Sequence, residues 1–123
     1  MNTLSLEQLK VLCQDWQEKL GLLHWTIGLR ICKSGDMSSQ NVQATNKISL
    51  TAESALISIL DNSDYPDSPF EQDMEVSLVH ELLHIPLTYF VKTKVNTLED
   101  VLLEAFIERV AKLLVKQSRE TKE

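Results

Sequence analysis

The run Leu78-Val79-His80-Glu81-Leu82-Leu83-His84 constrains this chain more than any other stretch, because it sets two imidazoles and a carboxylate at a spacing with a definite geometry. On an α-helix, residues four apart stand one turn apart on the same face, so His80 and His84 can aim ring nitrogens at one point. A cation can occupy that point. Glu81, next to the first His, is placed to lean over a water activated there and take its proton. The neighbours make this a helix that must be buried. Met74, Val76, Leu78, Val79, Leu82, Leu83 and Ile85 are apolar, and Asp73, Ser77, His80, Glu81 and His84 share the remaining stripe. Polar groups buried this way cost free energy unless something satisfies them, and a divalent cation satisfies two imidazoles at once.

Two imidazoles are too few for a catalytic zinc site, which usually has three protein ligands and one open position. No His follows His84 in the chain. Leu87 and Phe90 stand where H-E-x-x-H-x-x-G-x-x-H requires Gly and His, which excludes the metzincin class. What the chain offers is Glu104, separated from His84 by nineteen residues, and Glu108 one turn later. At helical spacing Glu104 is flanked by Val101 and Ile107, and Glu108 by Ala105 and Ala111. Surface charge on that helix falls instead on Glu99, Arg109, Lys112 and Lys116, which leaves the acidic pair without a neutralising partner in its own segment. A metal and a metal-bound His are such partners.

The layout His80-Glu81-x-x-His84, nineteen residues, then Glu104-x-x-x-Glu108 resembles the gluzincin pattern of thermolysin-like metallopeptidases. Being short, the chain is more similar to minimal gluzincins and to phage-type metallopeptidases than to full-length thermolysin. The resemblance covers residues 24 to 110 in layout, and five motif positions residue by residue. It implies that His80, His84 and Glu104 hold Zn²⁺, and that Glu108 supports His80 where the clan usually has Asp. Glu81 would be the catalytic base of zinc-dependent peptide-bond hydrolysis. A peptide or protein substrate would lie along an edge strand drawn from residues 41 to 60, with Tyr65, Tyr89 and His24 as candidates for stabilising the oxyanion. The alternative is a latent or non-catalytic zinc-binding regulatory or interaction protein with the same ligands; a purely structural domain would hold no zinc.

A length of 123 residues fits one minimal zincin-like domain over 1–123, with enough chain for a core without disulfide staples. The net charge of −6 and the lack of any Lys/Arg cluster interleaved with aromatics argue against nucleic acid as a partner. No apolar run approaches twenty residues and no signal peptide is legible, so no membrane association and a cytoplasmic location are expected. In that compartment Cys13 and Cys32 are expected as buried free thiols.

The expected fold class is α+β. Ser5 and Gln8 form a capping box for an N-terminal helix that Gly21 ends. Alternation over His24 to Cys32 and over Val42 to Leu50 predicts two strands, the second with a bend at Thr45-Asn46, around a turn at 34 to 39. Ala55 to Leu60 is expected as a third strand, completing a small sheet. A loop from Asp61 to Pro69 leads into the motif helix near Phe70, and Pro86 should end that helix within a turn of His84. A linker over Lys92 to Asn96 precedes a C-terminal helix that starts at a Thr97/Asp100 cap and runs from about Leu98 to about Lys116. Gln117 to Glu123 are expected to fray.

Overall fold

A computed structural model describes residues 3–37, 43–66, 68–91, 93–94 and 96–121. The fold is α+β: α1 (Leu6–Lys19), β1 (Thr26–Cys32), β2 (Ala44–Ser49), β3 (Ser54–Leu60), α2 (Met74–Thr88) and α3 (Leu98–Thr121). Single 3₁₀ turns at Ser34–Asp36 and Asn62–Asp64 lie in the connections.

The capping box of α1 is complete: Ser5 Oγ accepts the Gln8 N–H and the Gln8 side chain accepts the Ser5 N–H. Gly21 follows the helix at φ +73°, the left-handed conformation that glycine adopts without cost. Leu9, Cys13 and Trp16 form the buried face of α1.

The sheet has the order β1-β3-β2, with β1 parallel and β2 antiparallel to β3. The third strand in sequence is thus the central one, and of the expected 41 to 60 edge only β2 lies at an edge. Thr45 and Asn46 continue β2 without the expected bend. Ile27, Leu29 and Ile31, Ala55, Ile57 and Ile59, and Ala44 and Ile48 face one core with Leu9, Trp16, Leu78, Val79 and Leu82. Within it α2 packs against β2 and β3, α1 against β1 and α2, and α3 against α2.

Several boundaries differ from expectation. The motif helix begins at Met74, because Asp73 accepts the Val76 N–H as its N-cap, and Phe70 lies outside it, exposed. Pro86 sits inside the last turn of α2, which ends at Thr88, one turn past His84. The C-terminal helix does not stop at Lys116 or fray at Gln117, because its end is bonded to the rest of the molecule. Arg119 forms a two-pronged bond to Asp73 at 2.9 and 3.0 Å and reaches Glu75 Oε1 at 3.2 Å. Glu75 is itself buried and accepts the Trp16 indole N–H at 2.7 Å, so this clasp joins α1, α2 and α3. Part of the expected linker and of the second strand, at Val42, Lys92 and Val95, lies outside the described residues. Both cysteines are buried and free, and burial pushes the Cys13 thiol up to about 11. Among the described residues no helix is long and apolar enough to cross a membrane.

Candidate metal centre

The α2–α3 contact brings the four sequence-selected side chains together. One turn of α2 sets the His80 and His84 rings 5.2 Å apart by their centroids, tilted 45°. Glu104 on α3 lies between them, its Oε2 3.0 Å from His80 Nε2 and 3.1 Å from His84 Nε2. One donor atom from each of His80, His84 and Glu104 lies within 4.8 Å of the others, a spacing that could hold a metal ion. Glu108, one turn further along α3, accepts from the opposite nitrogen of His80, Nδ1, at 2.9 Å. The two acids therefore do different things: Glu104 faces both Nε2 atoms, whereas Glu108 engages one ring from behind and fixes its orientation.

The electrostatics follow from that arrangement. Burial would lower the His80 pKa, but the hydrogen bonds to Glu104 and Glu108 outweigh it and carry the imidazole up to about 9. Both carboxyls are correspondingly held below the usual range, Glu104 by His80 and His84 and Glu108 chiefly by His80. Lys112 on the next turn reaches Glu108 Oε2 at 3.5 Å, so the acidic pair does have a cationic neighbour in its own helix, contrary to the sequence reading. Glu81 moves the other way: burial raises its pKa, against the opposing pull of His80 and His84. Its residue is only 9% exposed, yet it lines the same cleft of about 240 Å³ as His80, Glu104, Glu108, Ser77, Gln43 and Ala44.

Gln43 and Ala44 belong to the strand edge nearest the cluster. The Leu60 N–H to Gln43 C=O bond of 2.9 Å fixes the pairing, so the backbone groups of Ala44, Asn46 and Ile48 point away from β3 toward the edge that no strand among the described residues pairs. Asn46 also acts through its side chain, donating from Nδ2 to the Glu81 carbonyl at 2.7 Å, while its Oδ1 is buried with no partner. Periodicity did not single out this residue. The sequence marks it as half of a bend with Thr45, whereas its place is that of an amide on the inward side of a strand between Ala44 and Ile48.

Of the three residues considered for the oxyanion, none lines the cleft; the Tyr65 hydroxyl accepts from Gln43 Nε2, which does, at 3.4 Å. Tyr89 caps the C-terminal end of α2, and His24 pairs with Glu53 at 3.5 Å beside the start of β1. Comparison with protein-family models, with curated proteins and with solved structures finds no match for this chain.

Proposed function

We propose that this chain is a zinc-dependent peptidase of minimal gluzincin type. The observation that carries the reading is the division of labour between the two α3 acids, Glu104 between the Nε2 atoms and Glu108 on Nδ1. A donor set of two imidazoles and one carboxylate suits zinc, and three such ligands would leave room for a water on the ion. Bound there, the ion would supply Lewis-acid activation of water and of a scissile carbonyl.

The chain's own residues do the remainder. Glu108 holds the proton on Nδ1 of His80, which leaves Nε2 as the ligating atom. Glu81 accepts a proton from the attacking water on its carboxylate and delivers it to the leaving amine, a role that suits a carboxyl whose pKa burial has raised. The free edge of β2 pairs with an extended peptide through the backbone groups of Ala44 and Asn46, so the substrate class is peptide or protein. Two buried unpaired cysteines support a cytoplasmic location.

The test is hydrolysis of a fluorogenic peptide library by zinc-loaded protein, with Glu81→Gln in parallel. We expect turnover in the parent and a loss of at least about a hundredfold in the variant at unchanged zinc content. Equal turnover in both would remove Glu81 from the chemistry. Stoichiometric zinc with no turnover in the parent would favour a non-catalytic zinc protein instead.

A further inference from the structure

The sheet is one-sided in charge. Strands β1, β2 and β3 carry no acid and only two charged residues, Arg30 and Lys47. Ile27, Leu29 and Ile31 on β1, and Ala44 and Ile48 on β2, pack on the core, so strand alternation puts Arg30 and Lys47 together on the opposite face. Neither cation is in an ion pair among the described residues. Arg30 is anchored on the central strand, its Nε donating to Ser58 Oγ at 2.7 Å. Lys47 stands exposed on β2, the strand that borders the metal cleft at Ala44. Glu53, the acid nearest to Lys47 along the chain, lies in the turn after β2 and faces His24 at 3.5 Å.

We infer that Lys47 is a specificity-determining residue, which selects extended peptides with an acidic side chain on the sheet face turned away from the metal. The inference rests on the reading of the β2 edge as the strand that pairs substrate. Strand geometry then fixes which substrate position Lys47 meets. Ala44, Asn46 and Ile48 offer their backbone groups to an added strand, and the peptide residues opposite them turn their side chains toward α2. Those opposite Thr45 and Lys47 turn theirs to the other face. The residue opposite Lys47 has its Cβ about 4.5–5.5 Å from the lysine Cβ, a cross-strand pair in which opposite charges attract and like charges repel. Ala44 lines the cleft and Lys47 follows it by three residues, so the selected position is the third or fourth from the scissile bond. It lies on the N-terminal side of that bond if the peptide runs antiparallel to β2, and on the C-terminal side if it runs parallel. The same charge counts against pairing of β2 with a strand of a second copy, because these strands bear cations and no acid. An acid-bearing peptide is therefore the partner for which the edge discriminates.

The test gives the zinc-loaded full chain a set of otherwise neutral peptides in which a single Asp or Lys is moved position by position, with cleavage followed by mass spectrometry. Binding of the same peptides to the zinc-loaded Glu81→Gln variant is measured by fluorescence anisotropy. Asp should be preferred over Lys by about two- to tenfold at one position, the third or fourth from the cleaved bond, with both neighbouring positions indifferent. Lys47→Glu, at an exposed position off the core, should reverse that preference. A preference unchanged in Lys47→Glu, or one spread over adjacent positions, overturns the inference, while turnover in the same experiment leaves the peptidase reading standing. Reversal seen in binding without any turnover keeps Lys47 as the selecting residue and removes the peptidase reading. Peptides that are neither bound nor cleaved overturn both.

Discussion

His80 is held by two carboxylates, which makes the metal-free protein sensitive to pH in a direction that can be stated. With its pKa carried from 6.5 to about 9, His80 contributes stability that is fully present below 6.5 and lost as pH rises through 9. Glu104, held below its ordinary 4.5, contributes above that value and loses its contribution as pH falls. The melting temperature of metal-free protein should therefore be highest between about pH 4.5 and 6.5 and decline toward pH 9. Zinc loading should remove the alkaline decline, because a ligating His80 has already given up its Nε2 proton. Thermal scans with and without chelator check this, and a metal-free profile flat through pH 9 would contradict the doubly bonded imidazole. At this scale the sequence was most informative. His80, His84, Glu104 and Glu108 were legible because helical spacing converts directly into a shared face. Asn46 was not, because its role depends on β2 lying against the Glu81 turn, which no local pattern encodes.

Between elements, the Asn46 side chain joins the strand edge that would carry substrate to the helical turn that carries Glu81. It does so at a cost, since its Oδ1 is buried and unpaired. Replacing it by an apolar side chain of similar size removes both the bond and the orphaned acceptor. Asn46→Leu should therefore change stability by no more than about 1 kcal/mol. Turnover, in contrast, should fall on the order of tenfold to a hundredfold through misplacement of the base against the substrate. Urea unfolding beside steady-state kinetics separates the two effects, and a large loss of stability at unchanged kcat would make Asn46 an ordinary structural residue. The Arg119 clasp shows the opposite behaviour. Arg119→Ala strips the buried Glu75 of its cation and should cost about 1.5–3 kcal/mol, seen as a lower urea midpoint at unchanged slope. The same clasp explains why the end of α3 was misread. Gln117 to Thr121 look like a polar tail, and the partners that hold them, Asp73 and Glu75 for Arg119 and Lys19 for Ser118, lie more than forty residues away in the chain.

For the molecule as a whole, the α+β class and the element order follow from the change of apolar period, from helical to alternating and back to helical. The strand order does not. Ala55 to Leu60 is the most continuously apolar strand, and it is central because both of its edges are paired, β1 running parallel and β2 antiparallel to it. That arrangement leaves β2 beside the metal centre. The account rests on the two α3 acids having unequal roles toward one cation, and competitive zinc titration against a chelator tests this most directly. The parent chain should bind one zinc. Glu104→Ala, which deletes one of three ligands, should lose most of its affinity, and Glu108→Ala, which frees the His80 ring to reorient, should lose about 10- to 100-fold. A larger loss in Glu108→Ala than in Glu104→Ala, or a parent chain that binds no zinc, would contradict it.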